Sequence, residues 1–169
     1  TALELFPGMN AVVYPLRPLS RGSIHIETLD PNIPAAFSPN YRATEQDRKA
    51  MVGGVRVGRE WAAKSPIKEL IAEETLPGPA IGSDAEILEA YDKLGTCGYH
   101  AIGSCRMGKD ADSVVDPELR ARGVEGLRVM DTSVMPSIPS GNTNGPTMAM
   151  AWRAADIILR DAKALRAAA

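Results

Sequence analysis

The stretch from Thr132 to Gly145 constrains this chain more than any other. Pro136, Pro139, Gly141, Asn142, Asn144 and Gly145 fall within fourteen residues that keep neither a helical nor a strand period. Loops of about 12–15 residues without structure of their own are uncommon in compact domains and usually carry function or are disordered. Pro146 then stands where the first turn of a helix accepts a proline. Met148, Ala151, Trp152, Ala155, Ile158, Leu159 and Ala162 recur behind it at helical spacing. A helix amino end offers unpaired N–H groups and the positive end of the dipole, which suits a phosphate, a carboxylate or an anionic cofactor ring. The same Asn and Gly residues also read as plain caps and turns. The local pattern leaves both readings open.

Upstream, Ala11–Tyr14 and Ser23–Ile26 are β-branched or alternating and predict two strands, punctuated by Pro15, Pro18 and Gly22. Pro31, Pro34 and Pro39 exclude a helix between Asp30 and Tyr41. Thr44-x-x-Asp47 resembles a capping box and predicts a helix with Met51, Val55, Gly58, Trp61 and Ala62 on one face, weakened by Gly53 and Gly54. Ser65-Pro66 reads as a second helix start, with Ser65 as cap and Pro66 in first position, leading into Ile67, Leu70 and Ile71. Ser83 and Glu86 form a clearer capping box before Ile87, Leu88, Tyr91 and Leu94, with Gly95 at the C-cap. Cys97–Ile102 and Leu127–Met130 predict short strands, the second ending at Asp131.

At 169 residues, 44% hydrophobic and 24% charged, the chain has the bulk of one ordinary globular domain. Its 19 Lys+Arg and 21 Asp+Glu are interspersed and leave a net charge of −2, so no electrostatic footprint for nucleic acid or an acidic membrane surface is present. No apolar run approaches the eighteen or so residues of a membrane span. Two cysteines and no Asn-x-Ser/Thr sequon lean toward a reducing, cytoplasmic setting. The opening Thr1-Ala2-Leu3-Glu4, with no initiator Met and no signal sequence, reads as a processed end or a piece of something longer.

Histidine chemistry has two places to live. His25 alternates with Ile24 and Ile26 and belongs on the solvent face of a strand. His100 lies in Gly98-Tyr99-His100-Ala101-Ile102-Gly103, whose glycines allow close approach to the backbone; on the residues alone it reads equally as structural or chemical. Cys97, His100 and Cys105 invite zinc, but strand alternation separates them and no fourth ligand follows, so two free thiols packed as small hydrophobes are the better reading. A cysteine nucleophile beside His100 lacks any marked oxyanion hole. The calcium-loop, dinucleotide and P-loop fingerprints are absent.

Taken in order, several motifs resemble the C-terminal region of the glucose–methanol–choline (GMC) oxidoreductases. They are Gly98-Tyr99-His100-Ala101-Ile102-Gly103-Ser104-Cys105-Arg106-Met107-Gly108, Val115-Asp116-Pro117, Arg122–Asp131, Ser133-Val134-Met135-Pro136 and Ser140-Gly141-Asn142-Thr143-Asn144-Gly145-Pro146-Thr147. Pro18–Ser23, Asp30-Pro31, Asn40-Tyr41 and Asp47 resemble the start of that region. The resemblance implies an α+β fold, helices flanking an antiparallel sheet, with residues 1–123 in a substrate-binding domain. Residues 124–169 would form a strand and helix returning to the FAD-binding domain. It implies FAD as cofactor and a small-molecule alcohol as substrate, with His100 and Asn142 catalytic. Asp131, Asn144, Pro146 and Thr147 would lie against the cofactor. The family's dinucleotide-binding unit has no counterpart here, so the implied partner is an N-terminal FAD-binding part of the same enzyme. The alternatives are a non-catalytic binding or assembly module, or a different reaction on the same scaffold, such as hydroxynitrile cleavage.

Overall fold

Hydrogen-bonded caps set most of the element boundaries. In the computed structural model, which describes residues 5–168, the elements in chain order are β1 (Ser23–His25), β2 (Ala36–Ser38), α1 (Glu45–Ala62), a 3-10 turn (Ile67–Leu70), α2 (Asp84–Leu94), a second 3-10 turn (Thr132–Val134) and α3 (Asn144–Ala168). This is an α+β chain with one small antiparallel sheet among the described residues. It divides into two units, one running through Pro15 and from Tyr41 to Thr96, the other comprising Leu16–Asn40 and the chain from Cys97 onward.

In the first unit, Thr44 caps α1 by accepting the Asp47 N–H at 3.2 Å. Ser83 and Glu86 close a full capping box on α2. The two helices pack through Val52 and Ile87, which is 1% exposed, and the Tyr91 hydroxyl donates to the Met51 carbonyl at 3.4 Å. Burial pushes the Tyr91 phenol up from its ordinary value. Arg56 pairs with Asp84 across the two helices, and Arg42, in the turn before α1, pairs with Asp92. Arg59 forks onto Glu74 at 2.8 and 2.9 Å and donates to the carbonyls of Gly78 and Ile81, fastening the Pro/Gly-rich break to α1. A Cβ on Gly54 would meet Val13 at 3.3 Å. The glycine that weakens α1 by propensity thus makes room for the segment crossing it.

In the second unit, β1 and β2 pair antiparallel with Ile24 opposite Phe37. The core gathers Val115, Leu119, Val134 and Ala154, with Cys105, Met107, Val129, Met130 and Met150 against it. The Gly103–Met107 stretch docks on the second 3-10 turn, Cys105 N–H donating to Ser133 O at 3.0 Å and Met107 N–H to Val134 O at 2.9 Å. Arg128 pairs with Asp161, and Arg160 reaches Glu118 at 2.6 Å, tying α3 to the irregular 109–128 region.

Several expectations are corrected. Ala11–Tyr14 and Cys97–Ile102 form no strand, and Leu127–Met130 makes only the single bridge Arg120↔Arg128. Alternation predicts extended backbone, but a strand exists only where a neighbour completes the ladder. Ser65-Pro66 leads to a 3-10 turn with Pro66 itself at the cap position. Trp61 is half exposed. Gly95 does cap α2, yet at φ −63; its need is steric, since a Cβ there would lie 2.4 Å from Tyr91 O. His25 is exposed as expected, but so are Ile24 and Ile26. In α3 the buried side chains are Ala154 and Ile157, with Met150 behind them, while Met148, Trp152 and Leu159 face outward at 65%, 79% and 59% exposure. The apolar stripe legible in the sequence is therefore the outward one. α3 also begins at Asn144, two residues before Pro146, which is tolerated because first-turn residues need no intrahelical N–H bond.

Ile87 fills the α1–α2 contact, so Ile87→Ala should cost about 2–5 kcal/mol. Urea denaturation followed by circular dichroism should show this as a lower midpoint at unchanged slope.

Candidate active site

His100 is held by both ring nitrogens. Nδ1 lies 2.9 Å from Thr143 Oγ1 and Nε2 lies 3.1 Å from Asn142 Oδ1. The ring is half-buried, Thr143 is 6% exposed and Asn142 is exposed. One edge of the imidazole is thus clamped inside the protein and the other meets a side chain that solvent or a substrate can reach.

Two local structures aim these groups. On the His100 side, Tyr99 sits at φ +58, in the left-handed region that costs a bulky residue of order 1–3 kcal/mol. Gly103 follows at φ +87, a conformation open to glycine, and leads into the stretch docked on Ser133 and Val134. On the loop side, Arg17 donates to Ser140 Oγ at 2.5 Å, and the Thr143 carbonyl accepts both the N–H and the hydroxyl of Thr147, at 2.9 and 2.7 Å. Thr143 therefore sits at the cap of α3, and the His100 ring is fastened to that amino end.

Of the other residues singled out in the sequence, Asn144 and Gly145 are exposed at the helix start, and Pro146 and Thr147 are half-buried. Asp131 caps the second 3-10 turn, Oδ1 accepting the Ser133 N–H at 2.7 Å. Hydrogen bonds from the Ser133 side chain and backbone hold its carboxyl below the usual range, so it is an anion at neutral pH. Cys105 packs against the core while Cys97 is exposed. Among the described residues no group of three or more His, Cys, Asp or Glu is placed to hold a metal, and no helix is long and apolar enough to cross a membrane.

Sequence reasoning missed Thr143 and Arg17. Thr143 lies between Asn142 and Asn144, but nothing in the one-dimensional pattern says that a hydroxyl there meets a ring 43 residues away. It also missed the brace behind the His100 segment. Arg106 forks onto Asp110, Nη2 to Oδ1 at 2.6 Å and Nη1 to Oδ2 at 3.0 Å. The guanidinium hydrogen bonds bring the Asp110 carboxyl down to about 2. Gly108 makes this fork possible, since a Cβ there would lie 2.6 Å from Asp110 Oδ2 and 3.0 Å from Arg106 Nη1.

These motifs match known proteins. The sequence profile of the GMC oxidoreductases matches residues 18–151. The chain belongs to the GMC oxidoreductase family. It is 41% identical over 145 residues to an alcohol dehydrogenase (acceptor) of Pseudomonas putida, covering 86% of this chain and 26% of that protein. It is 41% identical over 154 residues to an oxygen-dependent choline dehydrogenase of Vibrio vulnificus, covering 90% and 28%. It also resembles the structure of a formate oxidase of Aspergillus oryzae, determined to follow modification of its FAD, with a TM-score of 0.78 and 30% identity over 89% of this chain and 26% of that one. The chain thus spans little more than a quarter of the relatives it matches.

Gly108→Ala should open the Arg106–Asp110 fork and raise the Asp110 midpoint from about 2 toward an ordinary aspartate near ~3.9, read by NMR titration. The sign follows from linkage: a depressed carboxyl stabilises the fold above its unfolded value, and this contribution is lost as pH falls through the folded one. Wild-type protein should lose it toward pH about 2, whereas the variant should show little dependence of stability on Asp110.

Proposed function

We propose that this chain is the substrate-facing C-terminal part of an FAD-dependent enzyme that oxidises an alcohol to an aldehyde or ketone. The observation that carries this reading is the His100–Asn142 pair, with Nε2 and Oδ1 3.1 Å apart at a solvent-accessible edge beside the start of α3. A neutral imidazole is a competent base near neutral pH, so His100 takes the proton of the substrate hydroxyl. The Asn142 amide donates a hydrogen bond to the same oxygen as negative charge grows on it. FAD, when bound, supplies the acceptor for the hydride leaving the carbinol carbon.

The residues present suit that cofactor. Asn144 and Gly145 bring exposed first-turn N–H groups to the amino end of a 25-residue helix, and open space surrounds Gly145. We assign Asn144, Pro146 and Thr147 to the cofactor's ring edge, where the dipole favours negative charge. Asp131, an anion rich in acceptor lone pairs, is assigned to hydroxyl groups of the cofactor's chain.

The outward stripe of α3 supports the assignment of residues 124–169 to the face that meets the N-terminal FAD-binding part. Met148, Trp152 and Leu159 share one side of the helix, and a helix that is apolar on opposite faces is covered on both. Residues 1–123 form the substrate-binding part in the same reading. Leu159→Asp should leave the fold of this chain intact and weaken FAD retention in the full-length enzyme, measured by cofactor content after gel filtration.

The direct test uses the full-length enzyme carrying this chain. FAD absorbance should bleach on anaerobic addition of an accepted alcohol, choline included in the panel, and His100→Ala should slow bleaching by about 10²–10⁴-fold. Full-rate bleaching in that variant removes the base role. Bound FAD that no alcohol bleaches would point instead to a different reaction on the same scaffold.

A further inference from the structure

We propose that Thr143 is the positioning residue for His100: its hydroxyl oxygen accepts Nδ1–H and so makes Nε2 the nitrogen that takes the proton. The inference rests on the base role proposed above. A neutral imidazole carries one N–H and one lone pair, and the partner at one nitrogen decides which is which. Thr143 Oγ1 lies 2.9 Å from Nδ1, and Thr143 is 6% exposed, so bulk water does not compete for this contact. Asn142, at the other nitrogen, is exposed and lies where a substrate would enter.

The same two contacts suit the protonated ring. An imidazolium donates from both nitrogens, and an oxygen stands at each: Thr143 Oγ1 at 2.9 Å and Asn142 Oδ1 at 3.1 Å. Asn142 Oδ1, 3.1 Å from Nε2, accepts Nε2–H of the imidazolium; before proton transfer the substrate hydroxyl takes that place at the Nε2 lone pair, and a half-turn of the amide presents its NH₂ to the substrate oxygen. Thr143 has no such turn to make, since an acceptor for Nδ1–H serves the neutral ring and the imidazolium alike. The carbonyl of Thr143 is engaged by Thr147, which fixes the residue at the helix cap and its hydroxyl against the ring.

The test compares Thr143→Val and Thr143→Ser in the full-length enzyme. Valine keeps the shape and removes the acceptor. We expect kcat to fall about tenfold or more, a fraction of the full general-base effect, with KM changed by less than about twofold. The acid limb of the kcat/KM profile should move to lower pH, because both ring states lose the acceptor but the charged imidazolium, whose hydrogen bond is the stronger, loses more. Serine should restore rate and profile to within about threefold, since it returns the hydroxyl. Nitrogen-15 NMR of histidine-labelled protein should place the neutral His100 proton on Nδ1 in wild type and Thr143→Ser, and lose that preference in Thr143→Val. A wild-type proton on Nε2, or a valine variant with wild-type kcat and pH profile, overturns the proposal. If Thr143→Val fails to retain FAD, the wild-type spectrum and the serine variant still decide. Failure of the base reading is separate: it appears as unimpaired bleaching in His100→Ala, whereas the NMR measurement reads the Thr143–His100 bond whatever His100 does.

Discussion

One imidazole ring ties the second unit's two long irregular stretches together. His100 comes from a segment with no ladder of its own, and Asn142 and Thr143 come from a proline- and glycine-rich loop some forty residues later. Neither stretch has repetitive structure to set its position. Each is fixed by what it docks on: Cys105 and Met107 on the backbone of Ser133 and Val134, and Thr143 on the first turn of α3. The buried Val115–Val134–Ala154 cluster lies under these attachments. A site built from loops therefore gains its rigidity from the shared core and from hydrogen bonds that converge on one ring.

The same economy explains several residues that carry no chemistry. Gly108 leaves room for the Arg106–Asp110 fork behind the His100 segment, and Gly103 takes a backbone conformation that other residues rarely adopt. Tyr99 does adopt such a conformation, immediately before His100. α3 contributes twice. Its inner face completes the core through Ala154 and Ile157, and its amino end receives Thr143. Its outer face, with Met148, Trp152 and Leu159, is exposed.

Much of this was legible in the sequence, and the limits have physical causes. Caps are local, so Thr44, Ser83 and Gly95 marked their helices correctly. Motif order carried the family and, with it, the α+β class. The strands at Ala11–Tyr14, Cys97–Ile102 and Leu127–Met130 failed because alternation reports extended backbone but not the neighbour that makes a ladder. The buried face of α3 was not legible because helical spacing finds apolar stripes without saying what lies against them; Trp152 and Leu159 dominate the pattern yet Ala154 and Ile157 are buried. Thr143 escaped because its meaning is a contact with His100, which no local spacing encodes.

The central claim is that His100 and Asn142 act as one unit on one oxygen atom. A double-mutant cycle on the rate of alcohol-dependent flavin bleaching tests it most directly, because residues acting as a unit are strongly non-additive. The account predicts that the His100→Ala, Asn142→Ala double variant is about as slow as His100→Ala alone. Losses that simply multiply would mean that the two side chains, 3.1 Å apart, work independently, and would contradict it.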